Sequence, residues 1–284
     1  MEKRIIGRGV LVGAVGGLLA FLFARVLAEP IIDRAIGYED GRDAAHTALE
    51  QATGHSMHGV EEAELFTRSV QSNIGVGFGM IVFGAAMGAL FAVVYCLFVG
   101  RVGKLGPRNL ALCVAAGMFA VLYAVPFFKY PANPPSIGNP DTIEERTGLY
   151  LLMVAVSAVG AVGAVWLGRR LQARLGNWTA TIVAGLAFVV VVTAIAALLP
   201  SLGHLAANRA LVDAATETPR PLTDPSEHIV YPGFPADDLY YFRFYSLAAQ
   251  VILWTVIGVG FASLVPRLFD SDGTTDSTTT ASAV

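Results

Sequence analysis

TGLYLLMVAVSAVGAVGAVWLGRRLQARLGNWTATIVAGLAFVVVVTAIAALLP, residues 147–200, sets the architecture of the chain. Two apolar runs flank the connector RRLQARLGNW at 169–178, which carries Arg169, Arg170 and Arg174 and no acid. Roughly 20 apolar residues cross the hydrocarbon core as a helix. A backbone in lipid has to satisfy its own hydrogen bonds, so each run reads as a transmembrane helix. The three arginines between them then mark a short cytoplasmic turn, because Lys and Arg near span ends stay inside.

The whole chain conforms. Its 284 residues are 55% hydrophobic and only 14% charged, with a mean hydropathy of +0.60. Soluble domains carry about 25% charged residues, so the bilayer dictates the fold. Further uncharged stretches give spans near 9–28, 73–100, 109–128 and 245–266, beside 148–168 and 179–200. The sequence thus predicts an all-α, polytopic bundle of about six transmembrane helices. It forms a single membrane domain through residue 266, followed by a low-complexity tail at 267–284 that is expected to be disordered.

Sorting the charges orients the chain. With the N-terminus inside, the inner segments hold Lys3, Arg4, Arg8, Arg101, Lys104, Arg108, Arg169, Arg170, Arg174 and Arg267. Six spans return the C-terminus to the same side, so both termini are expected to be cytoplasmic. Val26-Leu27-Ala28 also fits a signal-peptidase site, which would leave five spans. Against that, Gly9, Gly13 and Gly17 recur every four residues, the pattern of a helix-packing face. Gly75/Gly79, Gly84/Gly88 and Gly160/Ala164/Gly168 repeat it.

The outer segments, 30–72, 129–147 and 201–244, read as loops. With Glu29 they hold 18 of the 22 acidic residues, against eight basic ones. That field of about ten net negative charges concentrates cations. All five histidines lie there too: His46, His55, His58, His204 and His228. An acidic exterior also follows in part from the positive-inside rule, and histidine avoids hydrocarbon in any case.

GHSMHG, residues 54–59, is the sharpest local pattern, with His46 upstream and EEAE at 61–64 downstream. Imidazole suits first-row metals, and two histidines three apart share a helix face. The competing reading is a pair of solvated histidines on a flexible loop. Candidate metal ligands are therefore His46, His55, His58 and Glu29, with His204 and His228 behind them. Polar residues at span ends, Gln71, Arg243 and Gln250, are candidates for a path inward; interfacial anchoring explains them equally well. Arg25 and Glu29, one turn apart, can pair.

Other functions find no support in the residues. GVGFG at 75–79 lies inside a span, so it is no nucleotide loop. Gly103-Lys104 is followed by Leu105, so there is no Walker motif. No catalytic constellation stands out, and nothing suggests nucleic acid. Cys96 and Cys113 both fall in apolar segments, which leaves no disulfide framework.

Between the third and fourth spans, PFFKYPANPPSIGNP places five of the fourteen prolines in residues 126–140. KYPANPPSIGNPDTIEERTGLY at 129–150 resembles a signature of the CbtA-like family, predicted cobalt transporter subunits of prokaryotic cell membranes. GGLLAFLFARVLAEPIIDRAI, ELFTRSVQSNIGVGFG and YPGFPADDLYYFRFYSLAAQVILW extend the resemblance across most of residues 5–266. That family is usually described with five spans, one fewer than counted here. The resemblance implies uptake of Co2+, or of Ni2+ or another divalent ion, linked to cobalamin supply. It also implies a small single-span CbtB-like partner bearing histidines, and no permanently bound cofactor. The alternative is a non-transporting multi-pass scaffold or docking subunit for a partner protein. The two proline-containing segments, 129–140 and 231–238, are expected to frame an outer vestibule.

Overall fold

The computed structural model describes residues 2–52, 71–102, 105–210 and 217–265. In chain order it holds α1 (Glu2–Leu27), α2 (Glu29–Ala52), a π turn at Gln71–Gly75 leading into α3 (Val76–Phe98), and α4 (Pro107–Phe119). A second π turn, Ala120–Ala124, leads into α5 (Val125–Lys129). Next come a 3-10 turn at Pro140–Thr142, α6 (Ile143–Leu198), another at Leu202–His204 and α7 (Ala206–Ala210). A two-stranded antiparallel pair, β1 (Leu222–Thr223) and β2 (Ile229–Tyr231), precedes α8 (Ala236–Leu264). Among the described residues, five helical stretches are long and apolar enough to cross a membrane. The chain is an all-α, polytopic membrane helix bundle.

The described residues divide into two compact units. The first contains 2–30, 71–102, 105–119 and 244–265; the second contains 31–52, 120–210 and 217–243.

Small residues hold the first unit together. Gly9, Gly13 and Gly17 of α1 face Gly88, Gly84 and Met80 of α3. A Cβ built on Gly13 would overlap the Gly84 carbonyl, and one on Gly84 the Gly13 carbonyl. Only glycine lets the two backbones meet, and in lipid such close packing is a main source of helix association. Gly79 departs from the expected packing role: nothing lies within 4 Å of a Cβ placed there. The far end of α3 carries an aromatic core, with Phe91 and Tyr95 each 5.0 Å, ring to ring, from Phe261 of α8. Helix α8 runs antiparallel to α1. Arg8 meets Leu264 at one end and Phe23 meets Tyr245 at the other.

The second unit contains the apolar stretch at 147–200. A continuous helix of 56 residues would run about 84 Å, far beyond a bilayer. It does not. Gly176 takes φ 72° and ψ 168°, outside helical geometry, and the chain folds back there. Gly160 rests against Phe188 and Val192, and Gly168 against Ala184. Residues 143–175 and 177–198 are therefore two antiparallel arms, with Met153 and Val192 buried in one cluster. Counted this way, the described residues hold six apolar helical segments. The expected cytoplasmic turn at 169–178 is mostly helix; the bend itself is one glycine.

Helix ends extend past the expected spans because hydropathy registers only the lipid-facing part. The outer segment from 30 reads as a loop, yet α2 continues to Ala52 with a mostly polar sequence. Likewise α8 begins at Ala236, about two turns before its apolar run. The carbonyls just past the end of α6 find partners at the end of α5 and just beyond it. Lys129 Nζ donates to Leu199 O at 3.0 Å and the Tyr130 hydroxyl to Pro200 O at 2.9 Å. A cation at a helix C-terminus also complements its dipole.

Candidate functional site

The polar chemistry of the second unit is built around the proline segment. After Tyr130 the chain cannot continue as helix through Pro131, Pro134 and Pro135. Instead Ile137 N bonds back to Pro134 O at 3.1 Å, and Asn139 accepts from Asp141 N and from the Thr142 hydroxyl. Ile137 is buried with Ala35 and Tyr38 of α2, and Tyr231 and Phe234 pack on them. The two proline-containing segments thus meet through one apolar cluster.

Polar bonds fasten the same assembly. The Tyr38 hydroxyl donates to Pro232 O at 2.9 Å, and Arg42 Nη1 to Arg220 O at 2.6 Å. Arg34 pairs with Asp238 at 2.6 Å; the hydrogen bond to that carboxylate holds the guanidinium above its usual pKa. Burial pushes the Tyr38 and Tyr130 phenols upward, so both stay protonated donors beyond the ordinary tyrosine range.

At the turn before α6 lies a cluster that sequence spacing did not reveal. The Glu217 side chain is largely enclosed, 7% exposed. Asn133 Nδ2 donates to Glu217 Oε2 at 2.9 Å, and Arg146 Nη1 stands 2.9 Å from Oε1. That second contact is ionic by distance but lies off the hydrogen-bond line, and Oε1 accepts no hydrogen bond. Arg243 donates to Asn133 Oδ1 at 2.8 Å and to Ala132 O at 3.2 Å. Gly138, at φ 137°, leaves room for Arg146: a Cβ there would stand 2.7 Å from Nη1. The cluster borders a cavity of about 380 Å³ walled by Tyr123, Phe127, Tyr130 and Tyr150.

The expected ligands are distributed differently. His46 lies on α2 with Nδ1 3.5 Å from Glu50 Oε1, one turn on. His228 stands 3.4 Å from Asp224 Oδ2, and His204 Nδ1 contacts the Ser201 hydroxyl. His55 and His58 lie outside the described residues, as does the tail at 267–284. Glu29 is buried, 4% exposed, in the first unit. Among the described residues no three of His, Cys, Asp or Glu come together as a metal site.

Of the path candidates, Gln250 lines an apolar cavity of about 350 Å³ in the first unit, beside Gly17, Gly79 and Met80. Arg243 serves as a strut for the proline segment. The side chain of Gln71 lies outside the described set, though its backbone opens the π turn. Arg25 Nε donates to Asn73 Oδ1 at 2.8 Å, tying the end of α1 to the start of α3.

Sequence reasoning missed Glu217, Arg146 and Asn133 because they sit on three separate segments. One signal was available: an amide inside a run of prolines, on the face that also carried isolated arginines.

A family model described as probable cobalt transporter subunit (CbtA) matches residues 2–266. The chain belongs to the CbtA family. That match covers nearly all of the chain, so every element described above lies within it. No curated protein and no solved structure matches. Membership of that family suggests a subunit of a cobalt transporter, and the word subunit implies a partner.

Proposed function

We propose that this CbtA protein is the multi-pass subunit of an importer for Co2+ in the cell membrane of a prokaryote. The observation that carries the reading is the family match over residues 2–266 of a chain built from apolar helices. Both termini and the arginine connector at 169–174 face the cytoplasm; the acidic, histidine-bearing segments face outward. There the field of the carboxylates raises the local cation concentration. His46, His55, His58 and Glu29, with His204 and His228, exchange imidazole and carboxylate donors for the water around the ion. Gln71 and Gln250 of the first unit and Arg243 of the second are the candidates for the path inward. The partner is a small single-span CbtB-like chain, and the imported cobalt serves cobalamin supply.

The arrangement supports this reading in one further respect. His46 with Glu50 and His228 with Asp224 are imidazole–carboxylate pairs four residues apart. A neighbouring carboxylate fixes the orientation of an imidazole that binds a metal.

The test is uptake of radioactive cobalt at limiting concentration, by cells expressing this chain alone and with the single-span partner. Combined His46→Ala, His55→Ala and His58→Ala should lower uptake about tenfold, the effect of about 1.4 kcal/mol in ion affinity. Excess cobalt should restore it. Uptake unchanged by deletion of the chain under cobalt limitation would leave a scaffold role instead.

A further inference from the structure

We infer that the cavity at the proline segment is a binding site for a small organic carboxylate with an apolar or aromatic body, and that Glu217 occupies its anchor point as an internal stand-in. The chemistry of the cradle is visible in what it now holds. A carboxylate sits between the Asn133 amide and the Arg146 guanidinium, and Arg243 lies behind Asn133. Two arginines against one acid leave a net positive anchor, suited to an anion and unsuited to a free metal ion.

The resident group fits poorly. Guanidinium and carboxylate prefer two parallel hydrogen bonds. Here Arg146 reaches only Oε1, off line, and that buried oxygen accepts no hydrogen bond. With Arg146 30% exposed and the Glu217 side chain 7% exposed the pair is partly buried, and an ion pair of this kind adds little to the stability of a fold. A ligand free to rotate could make the two-bond contact that Glu217 does not. The rest of the cavity supplies the body's surroundings: Tyr123, Phe127, Tyr130 and Tyr150 with Ile143 and Leu151. Its volume, about 380 Å³, falls in the range of small-molecule sites. The inference is independent of cobalt import; either can stand without the other.

Benzoate is the probe, and benzyl alcohol its uncharged control, titrated calorimetrically into the full chain in lipid nanodiscs. Glu217→Gln removes the internal competitor and should tighten benzoate binding at least about tenfold, with benzyl alcohol unaffected. Arg146→Gln should abolish benzoate binding in both the native and the E217Q backgrounds. Thermal unfolding verifies that each variant is folded. Should E217Q not fold, Glu217→Asp, which draws the carboxylate back by one methylene, should give a gain of a few fold. No gain in a folded E217Q or E217D chain overturns the proposal, as does a gain that R146Q leaves intact. Cobalt binding lost in E217Q without any benzoate gain would make Glu217 a cation ligand and sink it equally.

Discussion

Arg8, one turn and a half into α1, donates through Nη1 to the carbonyl of Leu264, 3.0 Å away at the end of α8. The first and last helices therefore finish at one end of the unit that contains them. Reporter fusions at the N-terminus and after residue 265 should give the same sidedness. A cysteine introduced in the 169–174 connector should be labelled from that side too, because four crossings separate it from the N-terminus. Opposite sidedness of the two termini would contradict the packing of α1 against α8.

Gly13→Ala sets a methyl group on the Gly84 carbonyl. Overpacking of this kind costs about 1–3 kcal/mol, and neither backbone can yield without separating the helices. The midpoint of thermal unfolding in detergent should fall. Gly7→Ala, where nothing stands within 4 Å, should leave it level or slightly higher, since alanine favours helix. Equal effects at the two positions would remove the glycine seam as the source of cohesion.

Tyr38 connects pH to the assembly around the proline segment. Burial raises its folded pKa above an unfolded value of about 10. Its contribution is fully present below that unfolded value and is lost as pH rises through the folded pKa. Denaturation midpoints should therefore decline above about pH 10. Tyr38→Phe removes this part of the alkaline decline. At neutral pH it costs about 1 kcal/mol for the lost bond to Pro232 O. Retention of the full alkaline slope in Y38F would assign the effect to other phenols.

Pro131, Pro134 and Pro135 limit the unfolded chain as well as shaping the folded one. Replacing all three with alanine should reduce stability by about 1–3 kcal/mol, the sum of their individual effects. If the segment frames an outer vestibule, cobalt uptake should fall while the chain still reaches the membrane. Unchanged uptake with normal expression would reduce the segment to a connector.

Apolar content was enough to predict an all-α, polytopic helix bundle, because hydrocarbon length leaves few choices. The glycine seam of α1 was legible for a related reason: spacing by four maps onto one helix face. The continuation of α2 to Ala52 was not. Its sequence is polar on most sides, and no apolar stripe betrays a helix that lies outside the lipid. The Glu217 cluster was hidden by topology. Asn133, Arg146 and Glu217 are brought together by the turn of the proline segment, which local spacing does not encode. His46 was legible as a residue, and its pairing with Glu50 follows from helical periodicity once α2 is known.

The reversal at Gly176 bears on how these two spans sit in lipid. Its two arms close on each other over their length, with Arg169, Arg170 and Arg174 beside the bend. Each arm lends the other its neighbour in lipid, so the two spans form one self-contained pair whose three arginines all sit at a single end.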